Sequence, residues 1–303
     1  MNTQITTATR TDPGAAIELV TNGLTSRHSK RAYSKALADF LAWMDANRKP
    51  FVKATLQEYR QTLSGSPASI NLKMSAIRKL AQEAADNGLL DPAIANGIAR
   101  VKGVKLQGVR SGNWLTKSQA QEILTTPDIG TLKGLRDRAL LAVLIGAGLR
   151  RSEVAALTFE HIQQRDGRWV LVDLIGKGNR VRSVPIPSWV KLAIDEWAAA
   201  AGLESAQVFR AVHKGGYITD QGSITPQAVR DIVKEYGAQI GIPDLAAHDL
   251  RRTFAKLSHT GGAGVDQIQL SLGHASLKTT EKYLGVSQNL TNAPCDHLGL
   301  SLE

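Results

Sequence analysis

The sequence has little cysteine, no long apolar run and fewer acidic than basic residues. Its one cysteine, Cys295, excludes an intramolecular disulfide and a metal cluster built on cysteines. It has no run of about 18 apolar residues, so it predicts no membrane-spanning helix. Residues 1–13 are polar and rich in threonine, without the apolar stretch of a signal peptide. We therefore expect a cytoplasmic protein.

The charge balance points to a polyanionic partner. The chain has 37 Lys and Arg against 27 Asp and Glu, a formal net charge of +10. Residues 1–112 hold 16 of these cations and 8 of the acids, a balance of +8, which leaves +2 for residues 113–303. Clustered cations bind phosphates by displacing counterions, so the first part of the chain is expected to contribute more to such binding. Membrane surfaces are also anionic, so charge alone leaves the partner open.

With 303 residues the chain is long enough for two domains. Apolar residues recur at helical spacing from Ser26 onward, and further helices are predicted from Thr55 to Leu63, from Ile70 to Asn87 and after Asp91. In the helix from Ile70 to Asn87, Leu72 is predicted to face inward together with its apolar neighbours. Glycines and cations alternate near residue 105, which is typical of a linker. The predicted organisation is a flexible N-terminus over 1–20, a helical domain over 21–103, a linker over 104–113, a second domain over 114–286 and a C-terminal tail over 287–303.

The second domain is predicted to be mainly α with a small β-sheet. Thr116 is a candidate N-cap, and an apolar helix is expected to end at Gly146 and Gly148. Residues 168–187 have the composition of a strand, a glycine turn and a second strand. Helices are predicted over 191–201, 225–240, 265–272 and 279–284, and Asp249 is expected in the first turn of a helix that ends at Gly261-Gly262.

Six residues whose side chains have complementary chemical roles lie in short motifs of the second domain. A phosphodiester under in-line attack needs donors for its non-bridging oxygens, a base for the attacking group and an acid for the leaving oxygen. Arginine suits the first need, because its planar fork matches two phosphate oxygens. Glu153, three residues after the first arginine, can fix its guanidinium across one helical turn. The six are Arg150 in Gly-Leu-Arg, Lys177 in Gly-Lys-Gly, His248 and Arg251 in His-Asp-Leu-Arg, His274 in Leu-Gly-His, and Tyr283.

The order and spacing of these motifs resemble the tyrosine recombinase (phage integrase) family, and the resemblance extends from about Thr25 to Tyr283. It implies a SAM-like helical core-binding domain followed by an α+β catalytic domain. It selects Arg150 and Arg251 over the adjacent Arg151 and Arg252 as the phosphate-binding arginines. It further implies that Tyr283 forms a 3′-phosphotyrosine, that Lys177 protonates the leaving oxygen, and that no metal or other cofactor takes part. With about 25 residues before the resemblance begins, we expect a recombinase of two domains that binds core sites.

Double-stranded DNA is the expected partner, and homotetramers on paired sites are implied by the resemblance. Apolar residues near the C-terminus, from Leu290 to Leu302, are expected to dock either on a neighbouring protomer or back onto the same chain. Alternative functions are a type IB topoisomerase-like relaxation of DNA, a non-catalytic DNA-binding regulator and a metal phosphodiesterase. The candidate DNA-binding residues are Lys30, Arg31, Lys73, Arg78, Lys79, Lys105, Arg110, Arg180, Arg182 and Arg252.

Overall fold

The computed structural model describes residues 13–105, 113–176, 180–213, 215–274 and 276–284, without the side chains of 219–221, 278, 282 and 283. The chain divides into two compact units, residues 1–110 and residues 111–303. The described part is mainly helical with two small antiparallel sheets, which confirms the predicted fold class. No helix among these residues combines the length and the apolar character needed to cross a membrane.

In residues 13–105 the first unit consists of helices packed around an apolar core. Side chains of Leu37, Phe40 and Leu56 lie at 0% exposure in this core, and Met74 and Ile77 join them. Helix N-termini are capped at Ser26, Ser66 and Asp91, whose side chains accept from backbone N–H groups. The helices are α1 (Pro13–Thr21), α2 (Arg27–Ala46), α3 (Lys53–Thr62), α4 (Pro67–Asp86) and α5 (Pro92–Ala99).

Three sequence predictions for this unit were wrong in detail. Residues 13–20 were expected to be mobile, but they form most of α1, whose Val20 is fully buried in the core. Helix α3 begins at Lys53, so Thr55 lies inside it, and the Thr55 hydroxyl donates to the carbonyl of Pro50 at 2.6 Å. Leu72 is 40% exposed, because it lies on the outer side of α4. The spacing of apolar residues predicts a helix, but it does not show which side of that helix the neighbouring helices cover.

The second unit has a larger core centred on one apolar helix, α7 (Leu132–Gly146), which packs against α9 (Ser188–Ala201). Thr116 caps α6 (Lys117–Thr125) as predicted, and Gln119 completes a capping box with it. Over the described residues, the helices are α6 (Lys117–Thr125), α7 (Leu132–Gly146), α8 (Arg151–Ala155), α9 (Ser188–Ala201), α10 (Pro226–Gln239), α11 (Ala247–Thr260), α12 (Val265–Leu272) and α13 (Leu277–Leu284).

The main sheet of this unit has one strand more than the sequence analysis predicted. Strands β2 (Arg168–Ile175) and β3 (Val181–Pro185) are the expected pair, and β1 (Ile162–Arg165) adds to β2 through a two-residue turn. That turn is Asp166-Gly167, with φ of 49° and 73°. Aspartate followed by glycine favours this turn, so the sequence did contain the signal for the hairpin. A second sheet of β4 (Arg210–Val212) and β5 (Ile218–Ser223) was also missed.

Candidate active site

Arg150 is placed by a sharp change of backbone direction after α7. Gly148 adopts φ +60°, and a Cβ there would lie 2.6 Å from the ring of Phe254. The chain then enters α8, where the Glu153 carboxylate accepts from the Arg150 backbone N–H at 2.8 Å and from Arg150 Nη1 at 2.6 Å. The predicted contact between this glutamate and the guanidinium of Arg150 is therefore present. Glu153 is buried, with 4% of its side chain exposed, whereas 28% of the Arg150 side chain reaches solvent.

Arg182 corrects one prediction, because it is engaged inside the protein rather than presented to a DNA backbone. Its Nη1 and Nη2 donate to the two carboxylate oxygens of Glu153 at 3.0 and 2.8 Å. Its Nε donates to the backbone carbonyl of Ser271 at 2.8 Å. Only 8% of the side chain is exposed. The sequence alone presented Arg182 as one more cation of a basic hairpin.

His248 and Arg251 lie on the first turns of α11. The Asp249 carboxylate accepts from the backbone N–H of Ala246 at 3.1 Å, which fixes the start of this helix. Arg251 is 1% exposed, and its guanidinium donates to the carbonyl of Gly148 at 2.5 Å and to the carbonyl of Leu272. This arginine therefore connects the turn before Arg150 with the end of α12.

The C-terminus of α12 accepts hydrogen bonds from two arginines. The last carbonyl groups of a helix have no partner within it and carry the negative end of the helix dipole. Ser271 accepts from Arg182 and Leu272 accepts from Arg251. Gly273 then ends the helix in the left-handed region, at φ +60°, and His274 follows it. The helix end and the cations stabilise one another.

His274 connects this cluster to α13, the helix to which Tyr283 belongs. Its Nδ1 lies 2.9 Å from the hydroxyl oxygen of Thr280, a residue at 0% exposure. Thr280 precedes Tyr283 by three residues in α13. Lys256 of α11 donates to the carbonyl of Leu284, the last residue of α13, and its ammonium lies 4.8 Å from the ring centre of Trp114. Leu284 is itself buried against α11 and α12.

The electrostatics of the cluster favour an anionic ligand. Burial, followed by the charges of Arg251 and Arg150, lowers the pKa of His274 to about 4. Burial and Arg251 also lower the pKa of His248. Burial alone would raise the pKa of Glu153, but hydrogen bonds from Arg182 and Arg150 hold it below its ordinary value. Both histidines are therefore neutral at pH 7. Arg150 and Arg182 share the carboxylate of Glu153, and Arg251 adds a further positive charge to the cluster.

The structure brings four of the six predicted catalytic residues into one cluster: Arg150, His248, Arg251 and His274. The charges of both arginines influence the two histidines, and Glu153 belongs to the same cluster. Lys177 and the side chain of Tyr283 lie outside the described residues, as do Arg110 and the tail from residue 285. The described structure includes the ends of β2 and β3, which flank the segment of Lys177. It also includes the backbone of α13, the helix of Tyr283.

The remaining candidate DNA-binding residues differ in their surroundings and stay predictions. Lys30, Arg31, Lys105 and Arg180 are exposed, and Arg252 is half-buried. The other three lie on α4. Lys73 pairs with Asp39 at 3.4 Å, and Lys79 pairs with Glu83 at 2.7 Å. Arg78 is half-buried, and its Nε has no hydrogen-bond partner in the described part of the protein.

Sequence reasoning missed Thr280 and Lys256, and it assigned Arg182 to the wrong environment. Thr280 and Lys256 contact the site through α13, and nothing in their sequence context distinguishes them from surface residues of a helix. Arg182 follows the glycine turn by only a few residues, which is the one sequence signal that relates it to the site.

The chain matches known proteins in both units. Residues 113–289 match the phage integrase family, and residues 18–88 match the N-terminal SAM-like domain of phage integrases. Tyrosine recombinase XerC of Pelobacter propionicus is 31% identical over 283 residues, 89% of each protein. Tyrosine recombinase XerD of Vibrio cholerae is 30% identical over 271 residues, 84% of this chain and 85% of the relative.

Solved structures share the fold at lower identity. The XerH site-specific recombinase bound to its difH substrate aligns with a TM-score of 0.66 at 18% identity, over 86% of this chain and 76% of XerH. A lambda integrase dimer bound to a core site aligns with a TM-score of 0.62 at 16% identity, over 89% of this chain and 92% of the integrase.

The chain belongs to the phage integrase family, with its SAM-like N-terminal domain and its catalytic domain. Its class of activity is that of a site-specific tyrosine recombinase, and the topoisomerase-like and regulator alternatives are not favoured.

Proposed function

We propose that the protein cuts and rejoins double-stranded DNA at specific sites through a 3′-phosphotyrosine on Tyr283. The observation that carries this proposal is the contact between His274 and Thr280 at 2.9 Å. It ties the helix of the tyrosine to the cluster that contains Arg150 and Arg251. Relatives solved with DNA, among them XerH and lambda integrase, support DNA as the partner.

The proposed reaction exchanges one phosphodiester for another. The Tyr283 oxygen attacks phosphorus, the bond from phosphorus to the 5′-oxygen breaks, and that oxygen leaves as a hydroxyl. Arg150 and Arg251 donate to the non-bridging oxygens, whose charge grows in the transition state. His248, neutral because its pKa is lowered, accepts the phenolic proton, and His274 donates to phosphate through its second ring nitrogen. The new ester conserves the bond energy, so rejoining by a 5′-hydroxyl needs no ATP.

Replacement of the proposed nucleophile tests the covalent step. Tyr283→Phe should keep the fold and the DNA affinity but form no protein–DNA adduct on a nicked suicide substrate. Tyr217→Phe is a matched control, because Tyr217 is 56% exposed on another part of the unit. Wild-type protein should form the adduct in EDTA and without nucleotide. An adduct in Tyr283→Phe would refute the assignment, and a strict metal requirement would favour a metal phosphodiesterase.

Lys177 is proposed as the general acid that protonates the 5′-oxygen, because the glycine-flanked segment that contains it connects β2 to β3 in the sequence. A substrate with a 5′-bridging sulfur has a leaving group that needs no proton. Lys177→Ala should therefore be slow on ordinary DNA and largely recovered on the sulfur substrate, while Lys234→Ala, at an exposed lysine of α10, should match wild type on both. Equal impairment of Lys177→Ala on the two substrates would restrict this lysine to phosphate binding.

We further propose that four protomers act on two paired sites, and that the tail over 287–303 docks on a neighbouring protomer. An apolar groove of about 730 Å³ between α6, α7 and α9 supports this idea. Exposed Ile129, Trp189 and Leu192 line it, and the tail contributes apolar residues such as Leu298 and Leu300. Burial of each such leucine is worth about 1.5–3 kcal/mol before the cost of ordering.

Deletion of 287–303 separates docking in trans from packing on the same chain. Under the proposal, binding to a single site persists, but cooperative binding to paired sites and strand exchange fail. Cooperativity and recombination that persist after the deletion would show that the tail is not the contact between protomers.

A further inference from the structure

The guanidinium of Arg182 connects three separate segments of the catalytic unit. It extends from β3, forms a two-pronged contact with Glu153 of α8 at 3.0 and 2.8 Å, and donates from Nε to Ser271 of α12 at 2.8 Å. Glu153 is the carboxylate that holds Arg150, and Ser271 lies two residues before the glycine that leads to His274. One side chain therefore touches the supports of two predicted catalytic residues.

Two glycines leave the space in which this side chain lies. A Cβ on Gly176 would lie 3.1 Å from Nη1 of Arg182 and 3.3 Å from Nη1 of Arg150. A Cβ on Gly273 would lie 2.9 Å from Cδ of Arg182. A charge that is only 8% exposed is costly unless its donors are paired, and each nitrogen of this guanidinium has a partner. This environment fits a residue that holds other groups in place.

The Glu153 carboxylate is shared by two arginines. Oε1 accepts from Nη1 of Arg150 at 2.6 Å and from Nη1 of Arg182 at 3.0 Å. Oε2 accepts from the backbone N–H of Arg150 at 2.8 Å and from Nη2 of Arg182 at 2.8 Å. Because a guanidinium fork pairs with a carboxylate in a common plane, Arg182 fixes the plane of the carboxylate. The direction in which Arg150 presents its guanidinium depends on that plane.

We propose that Arg182 is a positioning residue for strand cleavage. It holds Glu153 so that Arg150 meets the scissile phosphate in one orientation, and it keeps the end of α12, with His274, against the same carboxylate. Arg182 itself does not bind the DNA. This inference rests on the proposed function, in which Arg150 is a ligand of the phosphate.

The test measures adduct formation on a suicide substrate at saturating protein, together with DNA affinity and melting temperature. Arg182→Met keeps the apolar stem and should slow cleavage by about 100-fold, the order expected when a reacting group is misplaced by about 1 Å. The DNA affinity and its salt dependence should not change. Arg182→Lys keeps the charge but has no fork, so it should remain slow. Arg165→Met removes an exposed arginine from β1 of the same sheet and should match wild type.

A double variant distinguishes positioning from a loss of stability. Arg182→Met with Glu153→Gln removes both buried charges, so it should melt closer to wild type than Arg182→Met does. Its cleavage rate should equal that of the slower single variant, because both changes act through one link. A rate that equals the product of the two single effects would overturn the proposal, as would a wild-type rate in Arg182→Met or a full rate in Arg182→Lys.

The 5′-sulfur substrate distinguishes a defect in holding the phosphate from a defect in the general acid. Arg182→Met should be as impaired on this substrate as on ordinary DNA, because its defect lies in holding the phosphate. Recovery on sulfur would mean that Arg182 acts through the general acid, and the link through Glu153 would then be wrong. A wild-type protein that forms no adduct would instead refute the proposed function.

Discussion

Gly176 has a backbone conformation outside the left-handed region, so the need for glycine comes from its neighbours. It follows β2 and its N–H donates to the carbonyl of Arg180 at 2.8 Å, which closes the hairpin. The two guanidiniums that lie over it belong to Arg150 and Arg182. A methyl group at this position would crowd both guanidinium groups, so the absence of a side chain lets Arg150 and Arg182 take their positions.

Gly176→Ala should therefore impair chemistry more than folding. The added Cβ requires movements of a few tenths of an ångström by two flexible side chains, which is tolerable for stability. We expect the rate of adduct formation at saturating DNA to fall by about tenfold, because the phosphate-binding groups shift. Gly23→Ala is the control, since nothing lies nearer than 3.9 Å to a Cβ there. Equal rates in the two variants would contradict the crowding at Gly176.

His274 is the second residue whose environment sets its chemistry. Its pKa is lowered to about 4, because burial and the nearby arginines disfavour its charged form. The side chain is therefore neutral at pH values above that pKa. The unfolded chain, with an ordinary pKa of 6.5, binds a proton in the interval where the folded protein does not. The stability that this residue contributes is therefore fully present above pH 6.5 and is lost as the pH falls toward 4.

Two measurements check this pH dependence. An NMR titration of the protein without DNA should place the midpoint of His274 well below 6.5. The free energy of unfolding should decrease between pH 6.5 and 4, and His274→Gln should show a smaller decrease over the same interval. A His274 midpoint near 6.5, or identical decreases in the two proteins, would count against the buried environment.

At the scale of elements, α13 is held by contacts in its middle and at its end. Thr280, the fourth of its eight residues, contacts His274, and Lys256 binds the carbonyl of Leu284 at the end. Thr280 and Leu284 are both buried. Helix α13 spans residues 277–284, and isolated helices of this length are not stable in water, so its position depends on these tertiary contacts.

Thr280→Val tests one of these contacts with almost no change of shape. The hydroxyl is lost, and with it the hydrogen bond to Nδ1 of His274, at a cost of about 0.5–1.5 kcal/mol. We expect slower adduct formation with unchanged DNA affinity, because the helix of the nucleophile is held less firmly. Thr125→Val, at an exposed position on α6, should leave the rate at its wild-type value. Wild-type cleavage in Thr280→Val would show that this hydrogen bond does not hold α13.

At the scale of the whole molecule, charge and chemistry are divided between the two units. Residues 1–112 carry a balance of +8, whereas residues 113–303, which include all six candidate catalytic residues, carry +2. Each unit has a core of its own. The helical unit is therefore expected to supply most of the attraction to phosphates, and the catalytic unit the reaction.

A fragment of residues 113–303 should therefore bind DNA more weakly than the whole chain, with a shallower slope of log K against log salt. Each phosphate contact contributes about 0.9 to this slope. In the whole chain, Lys30→Gln with Arg31→Gln should reduce the slope by up to about 2. Lys49→Gln is the control, because Lys49 already pairs with Glu58 at 3.0 Å. An unchanged affinity and slope in the fragment would refute this division of labour.

The sequence by itself determined the fold class and most of the helices, because helix caps and apolar periodicity are local properties. Ser66, Asp91 and Thr116 mark helix starts through hydrogen bonds to residues at most three positions away. The motifs around Arg150, His248 and His274 likewise revealed the family. Strand β1 was missed although Asp166-Gly167 indicated its turn, since its residues are mostly polar and lack clear alternation.

Tertiary structure alone decided what holds the site together. Arg182 lies 89 positions from Ser271, and Arg251 lies 103 positions from Gly148, yet each pair is joined by a hydrogen bond. Whether an arginine is buried against a carboxylate or exposed to DNA depends on elements distant in the chain, and residue spacing carries no information about it. The same holds for the lowered pKa of His274, whose causes are burial and the charges of residues from three other segments.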